Sequence, residues 1–460
     1  MYRRFLLIPL VAIGCKKSSS ENAAPKPSVP DACAKAKAEG PIAWIEDDYA
    51  GALACAKQKN VPLMIDLWAP WCHTCLSMKA TVFKDASFAG EATKLVFAGF
   101  DTDREANAAV VAKFPLSAWP TYYVVGPDEA VLARWVGSAT TTQFHSFLDA
   151  GIQARTGVDG AGKHLLASER ALAVKDYATA ETELTAALAQ APADWVRRPD
   201  ALVSLLSTKQ RRGDTAGCMT LATEKMGDTG KTQSAADFLS IALACAESAT
   251  KTDAAGALAL RQAAIARFES LLADPKAELA VDDRSDSMAT LRDAYLATDR
   301  EPDAKAIAEK QRILLDDAAA KAANPEAAMT YNWHRAEVYV YLGRPLDIVP
   351  ALEKSAKDLP DAYDPRARLG WVYLKAGKMA EAATWTDQAL ALVYGPRKGR
   401  LLGTRAEIAA FQHDAAAERK YRAEAVKLWE AMPAGQASPD ALAKAKEELA
   451  KLDAPAPATN

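Results

Sequence analysis

Strand signals stop at about Asp159. Beyond that point the sequence is alanine-rich and amphipathic, broken at short intervals by Gly, Asp and Pro. Such a stretch folds into many antiparallel helices of modest length. The 460 residues therefore divide into at least two domains, because a single core rarely serves a chain of that size. Half of the residues are hydrophobic and 25% are charged, the balance of a folded soluble protein. Net charge is −3, and Lys and Arg are interleaved with Asp and Glu rather than gathered into a stripe. Nucleic acid is not an expected partner.

A period runs through the helical part. Arg368-Leu369-Gly370, Tyr373, Gly377, Ala382 and Ala389 are spaced like the signature positions of a tetratricopeptide repeat, which this segment resembles. Tyr339 and Gly343 precede Tyr373 and Gly377 by 34 residues each, and Pro360 closes that earlier unit. Fainter units start around Ala180, Leu291 and Ala416, and the number of repeats within residues 200–285 stays open. Small residues at fixed places let paired helices approach closely, and each unit buries one face on the next. The plainer alternative is an irregular helical domain holding two clear repeats.

Before Asp159 helices and strands alternate. Helices are expected over Asp47–Lys59, Cys72–Phe83, Glu105–Lys113 and Thr141–Asp149. Strands are expected over Leu63–Leu67, Leu95–Phe100, Thr121–Val125 and Ala130–Trp135. Alternation ending in a hairpin predicts an α/β layered domain. The expected boundaries are a leader at 1–15, a polar, Pro-rich tether at 16–38, the α/β domain at 39–153 and the helical domain at 160–455.

The leader reading rests on Tyr2-Arg3-Arg4, an apolar run from Phe5 to Ile13 too short to span a bilayer, and Ala12-Ile13-Gly14-Cys15. This end resembles a bacterial lipoprotein signal. The resemblance implies lipidation of Cys15, a membrane anchor at that residue alone, and an extracytoplasmic, periplasmic-side location. A plain secretory signal is the alternative. Six other cysteines remain, an even number that invites pairing in an exported protein. Proximity suggests Cys33 with Cys55 and Cys218 with Cys245, against the alternative of four buried free thiols.

The chemistry is carried by Met64-Ile65-Asp66-Leu67-Trp68-Ala69-Pro70-Trp71-Cys72-His73-Thr74-Cys75. An apolar strand runs into an aromatic turn and then a helix, which puts Cys72 where backbone N–H groups and the helix dipole favour a thiolate. The thiol pKa in such places falls from about 8.5 to roughly 3.5–7.5. Two intervening residues let Cys75 reach the Cys72 sulfur and resolve a mixed disulfide.

This segment resembles the thioredoxin-like family, and within it the C-terminal domain of DsbD-type electron carriers. The resemblance covers about 110 residues and implies the following roles. Cys72 attacks, Cys75 resolves, Asp66 on the preceding strand is buried and assists proton transfer, and Pro120 in Ala118-Trp119-Pro120-Thr121 is a cis-proline facing the disulfide. Asp66 has the alternative of a surface carboxylate, although Ile65 and Leu67 argue for a buried strand. Trp71 is expected on the exposed contact surface around the nucleophile, with Trp119 and Thr74 also near substrate. His73 either tunes the thiolate or occupies a solvated helix start.

Other chemistries lack residues. Haem attachment needs His after the second cysteine, and residue 76 is Leu. Structural zinc needs four ligands, and no second Cys-x-x-Cys or His pair lies nearby, so no metal is expected. Copper capture by Cys72, Cys75 and His73 is a lesser reading. No phosphate loop or serine nucleophile motif is present. The expected activity is a thiol-disulfide oxidoreductase, working toward reduction, with no cofactor beyond its own redox disulfide. Its expected partners are exported proteins with disulfides and an upstream thiol donor, held near the site by the repeats. The rival is a lipoprotein scaffold in which the repeats do the work.

Overall fold

The computed structural model describes residues 31–453. The expected leader with Cys15, and residues 16–30 of the expected tether, lie outside the described residues. Residues 31–39 belong to the α/β domain rather than to a tether. Strand β1 (Lys37–Glu39) pairs antiparallel with β2 (Ile42–Glu46), and Cys33 is disulfide-bonded to Cys55 with their Cα atoms 4.8 Å apart. A three-residue strand of Lys, Ala and Glu leaves no periodic trace, which is why polarity alone placed the boundary too late.

Helix α1 (Tyr49–Lys59) starts where the Asp48 side chain accepts the Gly51 N–H, and it ends at Asn60 in the left-handed conformation. The domain continues with β3 (Leu63–Trp68), α2 (His73–Ala80), β4 (Val96–Asp101), α3 (Ala108–Lys113), β5 (Thr121–Val125), β6 (Val131–Val136) and α4 (Thr141–Gln153). The helix expected from Cys72 to Phe83 breaks at Thr81 into α2 and a 3-10 turn, and the one from Glu105 begins as a 3-10 turn before α3. A capping box of Thr140 and Gln143 sets the start of α4.

The sheet order is β1-β2-β4-β3-β5-β6, with β2, β4 and β3 parallel and the remaining pairings antiparallel. Strand β3 is central and buried on both faces from Leu63 to Leu67. Alternation sends Met64 into a cluster with Phe83, Phe97, Tyr122 and Phe144. Ile65 and Leu67 join Ala52, Phe100 and Tyr123 on the opposite face. Asp66 follows Met64 by two residues and shares its face.

The second domain opens with α5 (Gly160–Ala173), α6 (Tyr177–Gln190), α7 (Arg198–Arg211), α8 (Thr215–Lys225), α9 (Gln233–Ala249) and α10 (Ala254–Ala273). It continues with α11 (Val281–Leu296), α12 (Glu301–Lys321), α13 (Pro325–Met329), α14 (Asn332–Tyr341) and α15 (Val349–Asp358). It ends with α16 (Asp364–Lys375), α17 (Met379–Leu392), α18 (Gly395–Phe411), α19 (Ala415–Ala431) and α20 (Pro439–Ala450). Sequential helices pack in pairs, α5 on α6, α9 on α10, α11 on α12, α16 on α17 and α18 on α19. Ala180, Ala187, Ala264, Ala304, Ala382 and Ala389 are fully buried, so small side chains set the close approach.

Gly343 and Gly377, 34 residues apart, follow α14 and α16 with the same φ of 73°, the repeated turn that the spacing predicts. Residues 200–285, where no unit was read, hold helices packed around Phe238 and Phe268. There Cys218 and Cys245 join α8 to α9 with Cα atoms 5.9 Å apart.

The helical domain grips the α/β domain at many points. The Arg134 N–H donates to Glu169 of α5 at 3.1 Å, and Gln143 donates to Ser234 of α9 at 3.1 Å. Ser138 donates to Asp283 of α11 at 2.9 Å. At the far end the Tyr394 hydroxyl donates to Asp101, and Gln436 donates to the carbonyls of Thr102 and Arg104 at 2.8 and 2.9 Å.

Candidate active site

Strand β3 ends at Trp68, and the turn Ala69-Pro70-Trp71 delivers Cys72 to the N-cap of α2. Its backbone is extended there, and its sulfur accepts the Cys75 N–H at 3.0 Å. Cys72 and Cys75 are disulfide-bonded, with Cα atoms 5.2 Å apart. Once that bond is reduced, the same N–H and the helix dipole favour negative charge on Cys72.

The Trp119–Pro120 peptide is cis, and β5 begins at the next residue. Trp119 packs on the disulfide together with Ala69, Trp68 and Trp71. Its ring meets Trp71 edge-on at 5.0 Å, and its Nε1 donates to Thr102 at 2.8 Å. Asp66 is 1% exposed, and its Oδ1 has no hydrogen-bond partner. Burial pushes its pKa up to about 7, with Lys79 opposing and Glu46 reinforcing the rise. This is the environment of a buried carboxylate, not the surface one weighed as the alternative.

Trp71 is placed otherwise than expected, and for His73 one of the two readings falls away. Trp71 is not on an open contact surface. Its Nε1 donates to Asp103 at 2.8 Å, the Arg397 guanidinium lies 5.1 Å over its ring, and it packs with Tyr363, Ala389 and Leu401 of the helical domain. Burial raises the Asp103 carboxyl to about 6, while the Trp71 hydrogen bond opposes that rise. Cys72 is left only 4% exposed.

His73 does not occupy a solvated helix start. Its Nδ1 lies 2.9 Å from Asp282 Oδ2 and 3.8 Å from Asp286 Oδ2, and its ring meets that of His334 at 4.2 Å. Burial alone would lower the His73 pKa, but the two carboxylates outweigh it and raise it to about 9. His334 is driven the other way, to about 3, by burial and by the charge on His73. Asp282 and Asp286 stand four residues apart on one face of α11, a pattern visible in the sequence. Nothing in the sequence ties them to a histidine 209 residues upstream of Asp282. His73, Asp282, Asp286 and His334 are the described residues grouped closely enough to hold a metal ion.

A cavity of about 550 Å³ lies between the domains beside this site. Thr74, Ala118 and Trp119 line it from one domain, and Ser204, Asp237 and Asp286 from the other. Among the described residues no helix is long and apolar enough to cross a membrane.

A mixed sheet, a cysteine pair at a helix start and a cis-proline before the next strand define a thioredoxin-fold domain of the thiol-disulfide oxidoreductase class. The model of the thioredoxin-like family matches residues 44–127. Thioredoxin C-3 of Corynebacterium nephridii is 32% identical over 117 residues, which cover 25% of this chain and 74% of that protein. The thioredoxin of Haemophilus influenzae is 33% identical over 92 residues, 20% of this chain and 79% of that protein. Through its N-terminal domain the chain belongs to the thioredoxin family.

Similar solved structures are helical. A tetratricopeptide repeat protein from Parabacteroides merdae aligns with a TM-score of 0.41 and 15% identity, covering 64% of this chain and 99% of that one. A Rap protein complexed with competence and sporulation factor aligns with a TM-score of 0.34 and 13% identity, covering 66% of this chain and 81% of that one.

Proposed function

We propose that the protein reduces disulfides in exported proteins, as a lipid-anchored extracytoplasmic enzyme of the kind its resemblance to DsbD-type domains implies. The observation that carries this reading is Cys72 at the N-cap of α2, its sulfur on the Cys75 N–H, within one aromatic cluster with Trp119 before the cis Pro120. In the reduced protein the Cys72 thiolate attacks one sulfur of the client disulfide. A Cys72–client bond forms, the client S–S bond breaks, and the departing sulfur takes the electron pair and then a proton. Cys75, its proton passed to Asp66, attacks the Cys72 sulfur, closes the Cys72–Cys75 bond and releases the second client thiolate. An upstream dithiol donor then restores the pair and is itself oxidised. The chemistry needs no cofactor.

The cavity beside Thr74 and Trp119 gives a client its approach. At about 550 Å³ it fits an extended stretch of a few residues rather than a folded surface, so the clients are unfolded or loop-borne disulfides. The rival reading, a scaffold in which the thioredoxin fold is an interaction module, draws on the near-complete burial of Cys72. Insulin-disulfide reduction by the full chain with a dithiol donor separates them. The redox reading expects turnover by the wild type, none by Cys72→Ser, and accumulated mixed disulfides on Cys75→Ser. Inert wild type and an empty Cys75→Ser trap would decide for the scaffold.

A further inference from the structure

We propose that His73, Asp282, Asp286 and His334 form a divalent metal site of the zinc type, which clamps the start of the redox helix to the helical domain. The site goes beyond the redox reading and does not depend on it. Its four donor atoms, one from each residue, lie within 4.8 Å of one another and come from three separate elements, α2, α11 and α14.

The separations between the imidazoles and the carboxylates bracket those of ligands around one ion, and the shortest, His73 to Asp282, is a hydrogen bond when no ion intervenes. Ligands 2.0–2.2 Å from a tetrahedral zinc stand about 3.3 Å apart. Here His73 Nδ1 is 2.9 Å from Asp282 and 3.8 Å from Asp286, while His334 Nε2 is 3.2 Å from Asp286 Oδ1 and 3.6 Å from Asp282 Oδ1. His334 is 2% exposed, yet neither of its ring nitrogens has a hydrogen-bond partner despite the two carboxylates beside Nε2. Asp282 Oδ1, on a fully buried residue, is unpartnered as well. Buried polar atoms rarely go unsatisfied, and two of these, His334 Nε2 and Asp282 Oδ1, stand 3.6 Å apart.

The donor set names the ion class. Two imidazoles and two carboxylates with no sulfur suit zinc and its divalent first-row neighbours rather than copper(I). Two carboxylates and a doubly charged cation also leave the buried cluster neutral, which removes the cost of enclosing like charges. Asp286 is 34% exposed at its side chain and lines the interdomain cavity, which gives the ion a way in. With the metal bound, His73 serves as a ligand within the redox motif, and the Cys72 end of α2 is fixed against α11 and α14.

The test is zinc binding by the oxidised full-length chain carrying Cys15→Ser, followed by titration calorimetry and equilibrium dialysis, with the other six cysteines in their three disulfides so that no thiolate competes. One zinc per chain is expected, together with a higher melting temperature in its presence. His334→Ala and Asp286→Ala should each weaken binding about 100-fold or more, since even supporting residues cost 10–100-fold. Cobalt in the same protein should give visible ligand-field bands without the near-ultraviolet band of a sulfur ligand. Circular dichroism checks the fold of each variant. If His334→Ala fails to fold, Asp286→Ala carries the test, because its side chain reaches solvent. Absence of stoichiometric binding by the wild type, or equal binding by the folded variants, overturns the proposal whatever the outcome of the insulin assay.

Discussion

Glu169 and Arg197 form a buried ion pair, 2.9 Å apart, while the other Glu169 oxygen accepts the backbone N–H of Arg134 across the domain boundary at 3.1 Å. One carboxylate thus serves both the internal packing of the helical domain and its hold on β6. Removing one partner of a buried pair costs about 3–5 kcal/mol, because the other charge is left enclosed. Glu169→Ala should therefore lower stability by that order in a urea titration. A change below 1 kcal/mol would mean that water already reaches Arg197.

Asp66 makes stability depend on pH in a known direction. Its carboxyl is raised to about 7 from 3.8, so the folded chain holds a proton that the unfolded chain has lost between those values. That share of stability is full below about pH 4 and is lost as pH rises through 7. Thermal melts of wild type and Asp66→Asn should diverge accordingly, with the variant losing less on going from pH 4 to pH 7.5. In single-turnover resolution of a mixed disulfide, Asp66→Asn should be slower by on the order of 10²-fold.

The link between Cys33 and Cys55, 22 residues apart, ties the segment ahead of β1 to α1. The loop entropy it removes from the unfolded chain corresponds to about 3 kcal/mol. Cys33→Ser should lose that much stability while leaving the Cys72–Cys75 reaction intact. The reading is a guanidinium titration alongside the insulin assay.

Gly395 opens α18 against the loop after β4, where an added Cβ would stand 2.0 Å from the Asp103 carbonyl oxygen. Gly395→Val should push Tyr394 off Asp101 and loosen the cover over Trp71. In the reduced protein, alkylation of Cys72 should then be faster than in wild type. An unchanged rate would show that the loop and α18 separate without uncovering the sulfur.

What the sequence disclosed followed chain locality. The run from Met64 to Cys75 fixes strand, turn and helix among neighbours, so the place of Cys72 and the burial of Asp66 were legible without a structure. Gly343 and Gly377 were legible for the same reason, since a repeated turn leaves a repeated residue. Strand β1 went unread because its three residues, Lys37, Ala38 and Glu39, are held by partners further along the chain. His73 and Trp71 were legible as positions but not as surroundings. Their neighbours, Asp282 and His334 for one and Arg397 and Tyr363 for the other, come from helices hundreds of residues downstream, and local pattern carries no information about which helix face meets which loop. A ligand set such as His73, Asp282, Asp286 and His334 is equally invisible to local pattern, because it is assembled from three elements across the fold.

The helical array takes hold of the redox domain near its beginning, through Glu169, and again near its end, through Gln436. With Ser234 and Asp283 holding its middle as well, it is a bracket fastened along its length rather than a flap on one hinge. A bracket held at so many places cannot swing clear of the cysteine pair by losing any single fastening.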